Sequence, residues 1–290
     1  MIIHLDPYAG FCTGVKRTVK LAEQELEKGS PLFCIGEIVH NGEETHRLES
    51  RGLVTIDHET FEEITDSPVL FRAHGEPPES YKKAGENHMR LIDATCPVVK
   101  KLQWRIYESQ QEMEAKGGVV IIFGKKTHPE MVGLMGQTAN QAVAVTEGRN
   151  LDSIKFTGPV RMFAQTTMDV DAYKLLQVAV LTRMKKANPG KEIDFKAYNT
   201  ICGQVSNRVP KLRDFAQNND MIIFVSGKNS SNGKYLYSIC KDVNPRTYWI
   251  AEKNEIETDW FRDIASVGIS GATSTPSWLL EEIAEYIGSK

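Results

Sequence analysis

The sequence predicts an α/β protein of three similar lobes with mostly parallel sheets. Two observations carry this. Short β-rich apolar runs alternate with helix-period segments from end to end, the pattern of strands joined by crossover helices. A strand, a turn, a cysteine and a helix then recur around Cys12, Cys96 and Cys202. Over 290 residues this rhythm divides the chain into 1–97, 98–198 and 199–290, each near a common domain size. No low-complexity linker separates the segments, so tight packing is expected.

Taken in order, strands are expected at residues 1–5, 32–39, 69–72, 90–92, 119–123, 143–145, 160–163, 193–197, 221–225, 247–250 and 266–269. Each is an apolar, β-branched or aromatic run of strand length bounded by turn residues. Helices are expected at 15–28, 98–116, 170–186, 211–217 and 278–287. In the first of these, Val15, Val19, Ala22 and Leu26 form one apolar stripe. Pro210 lies early in a helical stretch, where it either opens that helix or kinks it.

Composition narrows the function classes. The chain is 41% hydrophobic and 25% charged, as an ordinary globular protein is. A net charge of −3 gives no broad basic field for nucleic acid or an anionic membrane, so any anion must be held locally. No run approaches the ~18 apolar residues of a membrane span, and residues 1–20 show no secretory pattern. Five cysteines, odd in number and sparse, argue against a disulfide framework and place the protein in a reducing cytoplasm.

Polar residues collect just after the strands. The segments are His40-Asn41-Gly42, Ala73-His74-Gly75, Lys126-Thr127-His128-Pro129-Glu130, Gln165-Thr166-Thr167, Lys228-Asn229-Ser230-Ser231-Asn232 and Gly271-Ala272-Thr273-Ser274. Parallel α/β sheets bind ligands at the carboxyl ends of their strands. Cys34 and Cys240 sit inside apolar runs and read as small buried hydrophobes. Cys12, Cys96 and Cys202 sit instead at turns opening into helices, where thiolates are favoured. Three lone thiolates brought together by folding suit an iron–sulfur cluster with one iron left open to substrate.

The remaining donors, His40, His74, Ser230, Ser231, Asn232 and Ser274, suit a phosphate or diphosphate. Ser230-Ser231-Asn232 and Thr166-Thr167 can equally be helix caps. Neither of the glycine-rich nucleotide motifs is present, so the phosphate belongs to a small substrate. Glu130 is the one acid in the group and is placed to give a proton to a leaving oxygen. A zinc deaminase is excluded by the absence of Pro-Cys-x-x-Cys. Together these parts describe reductive removal of a hydroxyl from a phosphorylated substrate. Two other readings remain: an iron–sulfur hydro-lyase without net redox change, and a noncatalytic metal-binding or redox-sensing protein.

These motifs, with Gly10-Phe11-Cys12, Asp93-Ala94-Thr95-Cys96-Pro97 and Asn207-Arg208, run nearly the whole chain. Jointly they resemble the LytB/IspH family of 4-hydroxy-3-methylbut-2-enyl diphosphate reductases, which end the non-mevalonate isoprenoid pathway. The resemblance implies three α/β lobes around a central [4Fe–4S] cluster held by Cys12, Cys96 and Cys202, with one iron not ligated by protein. It implies that His40, His74, Ser230, Ser231, Asn232 and Ser274 hold the diphosphate, with Thr167 beside the substrate. His128 positions substrate, and Glu130 with Thr166 governs proton delivery. The implied products are isopentenyl and dimethylallyl diphosphate, with electrons from ferredoxin or flavodoxin. The chain departs from the family at Gly203-Gln204-Val205-Ser206, where a Thr-rich segment is usual, so that stretch receives no substrate role.

Overall fold

The computed structural model describes residues 1–146 and 151–289. The chain starts with β1 (Ile2–Leu5), α1 (Thr13–Leu26), β2 (Leu32–Ile35), α2 (Gly42–Glu49), β3 (Leu53–Ile56) and α3 (His58–Glu63). Next come β4 (Pro68–Phe71), α4 (Pro78–Glu86), β5 (Arg90–Asp93), α5 (Pro97–Lys116), β6 (Val119–Phe123) and α6 (Pro129–Gly136). They are followed by β7 (Val143–Val145), β8 (Val160–Ala164), α7 (Val170–Ala187), β9 (Phe195–Ala197), α8 (Gly203–Ser206) and α9 (Arg208–Gln217). The last are β10 (Met221–Val225), α10 (Ser231–Val243), β11 (Thr247–Ile250), β12 (Ser266–Gly271) and α11 (Ser277–Gly288).

Three four-stranded parallel sheets result, ordered β1-β12-β10-β11, β3-β2-β4-β5 and β7-β6-β8-β9. The predicted α/β class with parallel sheets is therefore what forms. The first sheet draws on both extremes of the chain, since Ile2–Leu5 pairs in register with Ser266 to Ile269. By contacts the chain falls into two compact units. One comprises Met1–Phe61, Pro68–Leu70 and Gly203–Lys290; the other comprises Glu62–Ser67 and Phe71–Cys202.

In the first unit, β10 is a continuous apolar run because both of its faces are covered. Alternate residues Met221, Ile223 and Val225 pack with Leu279, Leu280 and Ile283 of α11. Ile222 and Phe224 point the other way, onto Leu212 and Ala216 of α9 and Leu236 and Ile239 of α10. The period-2 alternation of a strand makes one segment serve two cores. In the second unit β6 repeats the device. Ile121 and Phe123 pack with Tyr173, Leu176 and Val180 of α7, whereas Val120 and Ile122 pack with Leu102 and Ile106 of α5 and Met131 and Leu134 of α6.

Pro210 is the third residue of α9, inside the first turn, where no intrahelical N–H is needed; it opens the helix without kinking it. The expected strand 32–39 ends at Ile35, because Gly36 takes φ +66° and turns the chain. Cys34 and Cys240 are fully buried, as their apolar settings require.

Each sheet has three adjacent strands whose carboxyl ends run into expected site residues. In the first, β1, β12 and β10 lead to Cys12, Ser274 and Ser230. In the second, β2, β4 and β5 lead to His40, His74 and Cys96; in the third, β6, β8 and β9 lead to His128, Thr166 and Cys202. In every sheet the cysteine follows an edge strand.

Candidate functional site

In the first unit the loops after β1, β2, β10 and β12 bring Cys12, His40, Ser230, Asn232 and Ser274 together. Cys12 is the N-cap of α1, in extended conformation, and its N–H donates to the Thr273 carbonyl at 3.1 Å. Ser230 is the N-cap of α10, and its hydroxyl accepts from the Gly233 N–H at 2.9 Å. The same Oγ lies 3.2 Å from Ser274 Oγ. Ser274 in turn reaches the His40 carbonyl at 3.5 Å. That carbonyl is met so closely by Gly227 that a Cβ there would come within 2.4 Å of it.

Asn232, the second residue of α10, accepts from both the N–H (2.9 Å) and the hydroxyl (2.8 Å) of Thr273 through Oδ1. Its Nδ2 has no partner among the described residues, although the residue is only 5% exposed. A buried amide donor left unsatisfied is costly unless a ligand supplies the acceptor. It stands at the start of a 13-residue helix, whose first amides and dipole favour an anion. Ser231 opens that helix and is also buried. Ser230 is therefore both the predicted cap and a candidate ligand. The two roles can coexist, because both use the same N-terminal amides.

In the second unit the loops after β4, β5, β6, β8 and β9 bring His74, Cys96, His128, Glu130, Thr166 and Cys202 together. The His74 and His128 rings meet edge to face, with centroids 5.4 Å apart. His128 is the N-cap of α6, and its Nδ1 accepts from the Glu130 N–H at 3.1 Å. In the neutral ring this fixes the proton on Nε2, so His128 offers a donor on its other side.

Glu130 is only 2% exposed. Thr166 supplies both of its hydrogen bonds, with N–H donating to Oε1 at 2.7 Å and Oγ donating to Oε2 at 2.7 Å. Burial pushes the carboxyl up to about 7, against the lowering effect of those two bonds. Thr166 is thus a Glu130 partner and does not cap α7; that cap is Asp169, which accepts from the Ala172 N–H at 2.6 Å. The Thr166 carbonyl accepts from the Cys202 N–H at 2.8 Å, linking acid and cysteine through one residue. Cys96 caps α5, and its N–H donates to Ala73, next to His74, at 3.1 Å.

Gln165 is a residue the sequence did not single out. It is fully buried, its Oε1 accepts from the Lys125 N–H at 3.1 Å, and its Nε2 donates to Thr167 Oγ1 at 2.8 Å. It ties the loop leading to His128 to the loop carrying Thr166 and Thr167. Its place at a strand end, directly before two threonines, was the available signal. The tight turn after His74 needs Gly75 at φ +74°, where a Cβ would come within 2.6 Å of Gln103 Nε2.

The donor set fits a metal–sulfur group. Cys12, Cys96 and Cys202 are half-buried and lie at loop ends, whereas Cys34 and Cys240 are sealed in the core. Burial pushes the Cys240 thiol up to about 12, which makes it a poor thiolate.

Fold and site define an α/β protein of parallel sheets. Each sheet has one of the three candidate cysteines after an edge strand; the first unit also holds the serine-capped start of α10, and the second the buried Glu130. The chain belongs to the LytB protein family, whose model matches residues 3–288. Among curated relatives, the 4-hydroxy-3-methylbut-2-enyl diphosphate reductase of Phocaeicola vulgatus is 43% identical over 286 residues, covering 98% of each chain. Those of Bacteroides fragilis and Porphyromonas gingivalis are each 44% identical, over 98% of this chain and 97% and 98% of their own. A solved structure of (E)-4-hydroxy-3-methyl-but-2-enyl diphosphate reductase, described as the terminal enzyme of the non-mevalonate pathway, covers both chains completely at 33% identity and TM-score 0.72. The Plasmodium falciparum reductase shares the fold, with TM-score 0.84 at 23% identity over 98% of this chain and 87% of its own.

Proposed function

We propose that this chain is a 4-hydroxy-3-methylbut-2-enyl diphosphate reductase. It replaces the substrate's allylic hydroxyl by hydrogen, consuming two electrons and two protons and releasing water, to give isopentenyl and dimethylallyl diphosphate. The observation that carries this reading is Glu130, a buried carboxyl poised near neutrality and held by two bonds from Thr166. A carboxylic acid kept protonated at neutral pH is what a departing hydroxyl requires. Near-full-length relatives bearing that name support it.

Cys12, Cys96 and Cys202 would hold a [4Fe–4S] cluster with one iron not ligated by protein. When bound, that group supplies electrons and a Lewis-acidic position for the substrate oxygen. The chain's own residues do the rest. His40, His74, Ser230, Ser231, Asn232 and Ser274 take the diphosphate, with the orphaned Asn232 amide as one donor. His128 orients the substrate through its Nε2–H, beside Thr167. Glu130 holds the proton at its carboxyl, and Thr166 fixes the direction in which that proton points. Electrons come from ferredoxin or flavodoxin. The segments 1–97, 98–198 and 199–290 act as three lobes, the first contributing Cys12 and Cys96, the second His128, Glu130 and Thr166, and the third Cys202. Among the described residues no helix is long and apolar enough to cross a membrane, and a reducing cytoplasm suits the thiols.

The test is anaerobic purification with iron and sulfide analysis, then turnover with reduced dye. Turnover is expected only when reductant is present; turnover without it would identify a hydro-lyase. Cys12→Ser, Cys96→Ser and Cys202→Ser should each lose the cluster, and Cys34→Ser should keep it. Normal iron in the first three would remove them as ligands.

A further inference from the structure

We propose that Arg208 is a positioning residue which, through Asp6, sets both the Cys12 turn and the Ser274 loop. The inference rests on the proposed reading only in taking Cys12 as a metal ligand. Arg208 opens α9 and is 5% exposed. Its Nη2 alone donates to Asp6 Oδ2 at 2.9 Å, Ser270 Oγ at 3.0 Å and the Gly271 carbonyl at 3.1 Å. Ser270 Oγ donates in turn to the same Asp6 oxygen at 2.7 Å. One nitrogen therefore grips the end of β1 and the end of β12 at once.

Asp6 passes this grip on to Cys12. Its other oxygen, Oδ1, accepts from the Tyr8 N–H at 2.9 Å, and its carbonyl accepts from the Ala9 N–H at 3.0 Å. Its own N–H donates to Ile269 at 2.9 Å. The chain then passes Gly10 at φ +111°, where a Cβ would stand 3.1 Å from Ser277 Oγ. It ends with the Cys12 N–H on Thr273. The carboxylate thus folds the turn that presents the sulfur, and the guanidinium seats that turn against the loop that presents Ser274.

Stability alone is a poor account of this pair. A buried ion pair is often no more stabilising than well-packed apolar residues. This one also leaves Arg208 Nε and Nη1 without partners, a further desolvation cost. What the pair does supply is a fixed register between two loops. Lysine keeps the charge but carries it as a compact ammonium on a flexible stem, without the rigid guanidinium that holds one nitrogen against all three acceptors.

The experiment compares Arg208→Lys and Ser270→Ala with the unmodified chain, all metal-free. Iodoacetamide alkylation of Cys12 is followed by peptide mass spectrometry, with Cys96 as internal control. The Cys12-to-Cys96 rate ratio should rise about tenfold in Arg208→Lys and about threefold in Ser270→Ala, the scale of losing charged and neutral hydrogen bonds. In the iron-loaded enzyme, KM for the diphosphate substrate should rise in the same order, with kcat less affected. A ratio unchanged in both variants, or both cysteines quickening equally, overturns the proposal. If Arg208→Lys does not fold, Ser270→Ala decides alone. The alkylation ratio is read without turnover, so an inactive wild-type enzyme would count against the proposed reaction and leave this result standing.

Discussion

Glu130 and Thr166 form a pair whose two halves pull the acidity in opposite directions. Burial raises the carboxyl, and the two Thr166 bonds to the charged form lower it, leaving it near 7. Turnover that depends on the protonated acid should therefore fall as pH rises through about 7. Glu130→Gln should keep the cluster, lose about 100-fold or more in kcat, the usual scale for a general acid, and abolish that descending limb. Thr166→Val removes the hydroxyl that favours the carboxylate, so its limb should move to higher pH. Steady-state pH profiles with reduced dye check both; a limb unmoved in Thr166→Val would detach that hydroxyl from Glu130.

Among the elements, α10 is capped by Ser230, also a proposed diphosphate ligand, and substitution can separate the two roles. Ser230→Ala removes the cap and should cost about 1 kcal/mol, whereas Ser230→Gly should cost only a few tenths. If Ser230 also holds the diphosphate, KM should rise equally in both, as thermal melts beside steady-state kinetics would show. Equal KM to wild type in the glycine variant would reduce Ser230 to a cap. The strands were readable from their apolar runs: β6 and β10, buried nearly throughout, and the edge strands β7 and β11, half-buried in part, all have the expected bounds. Edge strand β3 was missed, because its Val54 and Thr55 are exposed and its pattern is short. Helix α2 was missed because it buries only Glu44, Thr45 and Leu48. Helix α6 reads as a loop, with Pro129, Gly133 and Gly136. Those glycines are needed for close approach: a Cβ at Gly136 would lie 2.4 Å from Pro77, and one at Gly133 2.9 Å from the Gly75 carbonyl. The candidate cysteines, histidines and Glu130 were legible because strand ends announce them. The ties of Gln165 to Lys125 and of Arg208 to Asp6 join residues remote in sequence, so the strand end that marks Gln165 does not name its partner.

Across the whole molecule, two buried carboxyls govern how stability changes near neutrality. Glu76, 3% exposed, is also pushed up to about 7 by burial, partly opposed by Arg72. Unfolded, both Glu76 and Glu130 titrate near 4.5. Between that value and about 7 the folded chain holds protons that the unfolded chain has released, so stability falls as pH rises through this window. Glu112 works in the opposite sense: Arg161 holds it down at about 2, so its contribution is complete above its unfolded value and lost only in strong acid. The metal-free chain should melt at a lower temperature at pH 8 than at pH 5.5. Glu76→Gln should flatten that decline, leaving the part due to Glu130. A melting temperature that rises between those pH values would contradict the burial of both acids.

The pairing of Ile2–Leu5 with Ser266 to Ile269 also has a consequence in time. On the ribosome Cys12 emerges early, but the strand that seats its turn is translated some 250 residues later, a delay of roughly ten seconds or more at ordinary synthesis rates. Until then β1 is an orphan edge and its thiol has no finished cradle. With Cys12 as the ligand proposed above, loading with iron and sulfide waits until translation has passed β12, which makes metallation a late maturation event.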